Sequence, residues 1–229
     1  MNNDDLKNNP QSFSTGKNPY AKRLNDLKIN ELSNTRKNFE LGILANSAIP
    51  SPNVNQTKFQ AANLLTDRLA VNEFLSRLNY EITRSLRYKR PLSLIMVSVD
   101  FLDNLIDNWG EETAYYLIEN VYAKIASKLR EIDLSGMYQT SIFCFILPET
   151  NVRGAQVVAN RMAKLIANSQ FNHKLHTFNL SVSMGIAGVP DHANNAIELI
   201  EKTFLALQNA CQMYGGNQIV QAPVTKSGL

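Results

Sequence analysis

Eight residues, Leu92-Ser93-Leu94-Ile95-Met96-Val97-Ser98-Val99, form a short and nearly continuous apolar run rich in β-formers. Such a run reads as a strand buried on both faces. The rest of the chain has to supply its cover, which points to a layered fold. On the N-terminal side, Phe74, Leu78, Ile82 and Leu86 recur every four residues, and Leu64, Leu65 and Leu69 extend the stripe backwards. That spacing predicts a helix beginning near residue 57 and ending before Pro91. On the C-terminal side a helix is expected after Gly110, with Ala114, Ile118, Val121, Tyr122, Ile125 and Leu129 on one side.

Two short strands follow, the second over Ile142–Leu147. A helix is expected over about 151–168, where Ala155, Val158, Met162 and Leu165 share a side. From Phe178 the chain alternates. Phe178, Leu180, Val182, Met184 and Ile186 fall on one face and Asn179, Ser181, Ser183 and Gly185 on the other, as in a half-buried strand. A last helix over about 193–213 stops at Gly215-Gly216, and Ile219-Val220 form a short final strand. The order is helix, strand, helix, two strands, helix, strand, helix, strand. It predicts an α+β, ferredoxin-like (split βαβ) sandwich with helices packed on a mainly antiparallel sheet of about five strands.

The first 56 residues differ. They hold twelve Asn and few large apolar residues before Phe39-Glu40-Leu41-Gly42-Ile43-Leu44. This predicts a largely disordered polar tail and linker over 1–56, a basic amphipathic helix over 57–90, the folded domain over 91–223 and a tail over 224–229. The apolar patch at 39–44 can dock on a partner or on its own domain. Net charge is +3, and residues 58–90 alone carry seven Lys/Arg against three Asp/Glu. A basic helix can attract an acidic partner or nucleic acid. A solvated helix face is the simpler account, and no nucleic-acid-binding motif accompanies it.

No run of 18 apolar residues occurs, so no membrane span is expected. The N-terminus lacks a basic and an apolar signal region, so a cytoplasmic chain is the default. Cys144 and Cys211 make no zinc spacing and read as buried thiols. His173 and His176 read as a solvated loop pair rather than a metal site. Ser141 and Cys144 lack the base and orienting acid a nucleophile needs. Tyr115, Tyr116 and Tyr122 read as core or interface residues.

Four segments, taken in order, resemble the GGDEF domain of bacterial diguanylate cyclases over roughly 67–222. They are Arg87-Tyr88-Lys89-Arg90-Pro91-Leu92 running into Val99-Asp100 and Trp109-Gly110; Ile146-Leu147-Pro148-Glu149-Thr150; Ser181-Val182-Ser183-Met184-Gly185-Ile186-Ala187; and Gly215-Gly216-Asn217-Gln218-Ile219-Val220. The resemblance implies two such domains facing each other, each holding one GTP, and Mg²⁺-assisted phosphoryl transfer giving cyclic di-GMP. Trp109 is then expected to pack where the family has an aromatic before its glycine.

The chain departs from the family at the positions that carry this chemistry. The five signature positions read Gln139-Thr140-Ser141-Ile142-Phe143, of which only Phe143 matches. Ser98 stands where the family has its metal-binding Asp, and Ile142 where it has the second acidic ligand. Ile106 and Tyr115 stand at the guanine-reading positions. The phosphate-binding Lys falls on Cys211 or Gln212, and the segment before the helix is contracted to about Asp67-Arg68-Leu69-Ala70. These departures lead to the expectation of a protein that is not an enzyme and holds no metal or cofactor.

The family's product-binding Arg-x-x-Asp lies nine and six residues before the first signature glycine, which places it on Arg130 and Asp133. An Arg fork can grip a phosphate or guanine's Hoogsteen edge, and an Asp can accept from guanine N1 and N2. Arg161 is the candidate additional Arg. The motif is weak by itself, since Arg23-Leu24-Asn25-Asp26 repeats it. The pair also suits a purely structural helix-end turn. The expected function is that of a regulatory or scaffold protein binding a protein partner, open to control by cyclic di-GMP at Arg130, Asp133 and Arg161. The alternative is a structural or assembly subunit without nucleotide binding. The family pattern also allows a homodimer.

Overall fold

A computed structural model describes residues 68–139, 141–213 and 216–224. The expected tail over 1–56, the start of the leading helix near 57, Leu64 and Leu65 and the patch at 39–44 lie outside the described residues. Helix α1 (Arg68–Tyr88) leads through a left-handed Lys89 and Pro91 into β1 (Leu92–Val99). Helix α2 (Leu102–Ala126) follows, then β2 (Leu134–Gln139), β3 (Ile142–Pro148) and α3 (Val152–Ala167). Strands β4 (Gln170–His173) and β5 (His176–Asn179) precede β6 (Val182–Val189), α4 (Ala196–Gln212) and β7 (Ile219–Gln221). Asn151 caps α3 by accepting from the Gly154 amide at 2.8 Å, and Asn195 caps α4 by accepting from the Glu198 amide at 2.9 Å. Each satisfies a donor that helix geometry leaves unpaired.

The five-stranded sheet runs β2-β3-β1-β6-β7. Only β6 and β7 pair in parallel. β1 is the central strand, pairing β3 from Leu92–Pro148 to Ser98–Ile142 and β6 from Leu92–Val189 to Val99–Val182. Its side chains divide between two cores. Ile95, Val97 and Val99 pack with Ile118, Phe143, Phe145, Met162 and Met184 under α2 and α3. Leu94 and Met96 pack with Phe74, Leu78, Ile146, Leu199 and Leu207 under α1 and α4. The ferredoxin-like sandwich inferred from the element order is the observed fold.

Three expectations are corrected. The strand from Phe178 is two strands: β5 pairs β4 in a separate two-stranded hairpin, and β6 joins the main sheet. The chain leaves the ladder at Leu180-Ser181, where the Ser181 carbonyl accepts the Asp100 amide at 3.0 Å. β6 is buried on both faces rather than half-buried, because α4 roofs the face carrying Ser183 and Gly185. Helix α2 begins at Leu102 and not after Gly110. It is two helical pieces joined at Gly110, whose φ of 81° and ψ of 162° are open to glycine alone at low cost.

Candidate functional site

Helix α2 unwinds after Ala126, and residues 130–133 form a tight turn closed by the Asp133 amide on the Arg130 carbonyl at 3.1 Å. Within that turn Arg130 and Asp133 meet directly. Asp133 Oδ2 accepts the Arg130 backbone N–H at 2.9 Å and its Nε at 3.2 Å, while Oδ1 accepts Nη2 at 3.0 Å. The Asp133 side chain is 3% exposed and that of Arg130 is 53% exposed. A buried carboxylate therefore aims a solvent-facing guanidinium, a geometry suited to an anion arriving from solution.

Arg130 has a second anchor. Its Nη2 donates to Thr150 Oγ1 at 2.7 Å, and Thr150 Oγ1 donates to the Pro148 carbonyl at 3.1 Å. The Ser93 hydroxyl holds the Thr150 carbonyl at 2.8 Å. Beside Thr150, Glu149 has a positive φ of 54° and pairs with Arg90 at 2.6 Å and Arg84 at 3.6 Å. Glu149, Arg84 and Arg90 line a cleft of about 250 Å³ between the end of α1, the start of β1 and the end of β3, together with Glu81, Ser85 and Tyr88. Burial pushes the Glu81 carboxyl up; the nearby Arg84 lowers it and Glu149 raises it further. Arg90, Glu149 and Thr150 belong to the segments quoted for the resemblance, but no sequence pattern assigned these residues or Arg84 their contacts.

Arg161 lies on the exposed side of α3, nine residues beyond Val152. A helix rises about 1.5 Å per residue, which places it roughly 13 Å along the axis from the end nearest Thr150. Among the described residues, no hydrogen bond or ion pair joins Arg161 to Arg130 or Asp133. The structure thus brings Arg130 and Asp133 together and leaves Arg161 apart from them.

At the other end of β1, Ser98 is 2% exposed and in register with Ile142 and Ser183. Asp100 Oδ1 accepts from Ser183 Oγ at 2.6 Å, and Oδ2 accepts from Ser181 Oγ at 2.6 Å and the Asn217 amide at 2.7 Å. Ile106 and Tyr115 pack against the α2–α3 core. A buried hydroxyl, an alkyl side chain and a carboxylate with both oxygens engaged do not fit Mg²⁺, which wants free hard oxygen ligands. Cys144 is buried and its thiol is pushed up by burial. Cys211 is only partly buried by exposure, yet burial, with the Asp100 charge second, pushes its thiol up to about 12.

His173 and His176 are not a loop pair. They face each other in register on the β4–β5 hairpin. The His173 ring lies 4.3 Å from Tyr116 and the His176 ring 4.4 Å from Trp109, both on α2. Trp109 also meets Phe178 edge-on at 5.2 Å, so it fastens the hairpin to α2. Tyr122 is a core residue whose hydroxyl hydrogen-bonds Ser135 at 3.0 Å.

The family model described as "Diguanylate cyclase, GGDEF domain" matches residues 65–217. Diguanylate cyclase A of Treponema denticola is 24% identical over 185 residues, covering 80% of this chain and 50% of that protein. The chain thus spans half the length of that relative. Among solved structures, the GGDEF domain of PA1120 (YfiN or TpbB) from Pseudomonas aeruginosa superposes with a TM-score of 0.65 at 20% identity, covering 72% of this chain and all of that one. Diguanylate cyclase SiaD of the same organism, solved with its activator SiaC, gives 0.59 at 21% identity over 89% of this chain and 75% of that one. The GGDEF domain of DgcB from Caulobacter crescentus, solved with c-di-GMP, gives 0.62 at 16% identity over 76% of this chain and 98% of that one.

These matches overturn the expectation that the chain is not an enzyme. The matching model is that of a cyclase and the relative is named as one, so the altered residues at 98 and 142 do not take the chain out of an enzyme family. Among the described residues no helix is long and apolar enough to cross a membrane. With the sheet order, the two-sided helical cover and the family model in agreement, the chain belongs to the GGDEF family of diguanylate cyclase domains.

Proposed function

We propose that this chain is a cyclic di-GMP signalling domain that binds the dinucleotide at Arg130 and Asp133 and passes the signal to a protein partner. The observation carrying this reading is the Arg130–Asp133 turn: a buried carboxylate holds a half-exposed guanidinium facing solvent. The guanidinium suits a phosphate or a guanine Hoogsteen edge. Asp133 reaches guanine N1 and N2 only when Arg130 swings off it. Arg161, on the exposed side of α3, supplies a further positive group once the ligand spans the gap. The DgcB neighbour, solved with c-di-GMP, and the SiaD neighbour, solved with an activator protein, support ligand and partner respectively.

Calorimetric titration of the full chain with cyclic di-GMP tests the site, beside Arg130→Ala and Arg161→Ala and with GTP turnover followed in parallel. Micromolar or tighter binding is expected, abolished by Arg130→Ala and weakened by Arg161→Ala. Absence of heat from the unaltered chain at high ligand concentration refutes it. The closed Arg130–Asp133 ion pair favours a second reading, in which the domain assembles with a protein partner without nucleotide. Retention of a partner by the full chain after Arg130→Ala, with no cyclic di-GMP binding, is its expected signature.

A further inference from the structure

We propose that Glu149 and Thr150 form a relay through which a ligand on Arg130 loosens the hold of the domain on helix α1. The proposal rests on the reading of Arg130 as a ligand-binding residue and names how that site is regulated.

Two adjacent residues face two different structures. Thr150 Oγ1 accepts a hydrogen bond from Arg130 Nη2 at 2.7 Å. Glu149, one residue earlier, spreads its two carboxylate oxygens between Arg90 on the turn after α1 and Arg84 on the last turns of α1. Arg84 in turn holds Glu81 at 3.3 Å. The Arg130 site is thus separated from the end of the leading helix by two residues of chain.

The middle of this path is strained. Glu149 sits at φ 54°, a left-handed conformation that is unfavourable for a residue with a Cβ. A strained residue persists only while its surroundings over-determine it. Thr150 restrains it from one side, with its carbonyl fixed by Ser93 and its hydroxyl by Arg130. The two arginines restrain it from the other. Both of those pairs are exposed, and exposed ion pairs contribute little by themselves.

An anionic ligand competes for the same guanidinium. A phosphate or guanine edge that recruits Arg130 takes Nη2 from Thr150. The Glu149 backbone is then free to relax, its carboxylate leaves Arg84, and the last turns of α1 lose their tie to the end of β3. By linkage the effect runs both ways: loosening Glu149 favours the ligand by the factor with which the ligand loosens Glu149.

The test is amide hydrogen exchange of residues 81–90 in the full chain, with and without cyclic di-GMP, paired with calorimetry on the same samples. The variants are Thr150→Val, Glu149→Gln, and Thr150→Ser as a hydroxyl-retaining control. Ligand is expected to speed exchange there about fivefold, the low end of ordinary coupling. Thr150→Val reproduces part of that rise without ligand and shrinks the further increment, while Thr150→Ser behaves as the unaltered chain. Glu149→Gln tightens cyclic di-GMP binding about fivefold. Heat of binding with unchanged exchange, or unchanged affinity in Glu149→Gln, overturns the relay and leaves the binding site standing. No heat from the unaltered chain overturns the binding site and the relay together.

Discussion

Ser183 Oγ donates to Asp100 Oδ1 at 2.6 Å, joining the start of β6 to the end of β1 across the central ladder of the sheet. Ser181 and the Asn217 amide converge on the other oxygen of the same carboxylate. Gly216 lies so close that a Cβ there would stand 2.7 Å from Asp100, and its φ of 64° suits glycine. One carboxylate therefore ties together β1, the break before β6 and the turn before β7.

Replacing Asp100 by Ala strips three donors of their acceptor, with Ser183 buried. Leaving the buried Ser183 hydroxyl unpaired and losing the two more exposed bonds costs about 2–4 kcal/mol in total. For a domain of this size that lowers the melting temperature by roughly 5–15 °C. Asp100→Asn keeps one acceptor oxygen and loses about half as much. Thermal melts followed by circular dichroism decide it, and an unshifted Asp100→Ala melt excludes the role.

Gly185 carries the next prediction. A Cβ on it would stand 2.2 Å from the Leu207 amide nitrogen and 2.3 Å from the Thr203 carbonyl oxygen, both helix backbone. Backbone cannot rotate aside as a side chain can, so α4 has to move off the strand. Overpacking of this kind costs about 3 kcal/mol. Gly185→Ala should lower the urea midpoint without changing the slope. A midpoint equal to that of the unaltered chain shows that α4 does not rest on Gly185.

Legibility followed local physics. β1, β3 and α3 were readable because an apolar run or a helical stripe needs only neighbouring residues. The β4–β5 hairpin was not. Gln170–His173 holds one large apolar residue, and the break at Leu180-Ser181 preserves the alternation that disguised two strands as one. Gly110 hid the first piece of α2 because a glycine ahead of a helical stripe reads as a start, while the structure uses it as a joint. Arg130 and Asp133 are implied by the family resemblance, through their register against the signature positions from Gln139. Their closure on each other, and the contact with Thr150 twenty residues on, depend on how the turn folds back. The Arg90–Glu149 pair spans 59 residues and has no local signature.

Glu81 predicts a pH dependence. Burial raises its carboxyl above the usual range, the Arg84 charge notwithstanding. An unfolded Glu titrates near ~4.3. Above that pH the folded chain holds the proton more tightly than the unfolded one, so stability falls as pH rises through the raised value. Glu81→Gln removes this cost, and the variant should melt higher at pH 7. The gain should vanish near pH 4, where the native carboxyl is protonated as well. A gain that persists unchanged at pH 4 would sink the electrostatic account.

Both thiols ionise less readily than a free cysteine. Burial alone raises Cys144; for Cys211 burial comes first and the Asp100 charge second, giving about 12. With its thiol held that high, Cys211 is almost wholly protonated at pH 8, and the thiolate is the form that reacts. Iodoacetamide should leave both residues unmodified in the native chain over a time that labels both in urea, read by intact mass. Unfolded thiols ionise near ~8.5. Between there and about 12 the unfolded chain binds fewer protons at Cys211 than the folded one, so the contribution of this group is complete below ~8.5 and is lost as pH rises. Cys211→Ala should therefore lose less stability than the unaltered chain between pH 8 and pH 10. Rapid native labelling of Cys211, or equal alkaline losses in the two proteins, would show that this thiol reaches solvent.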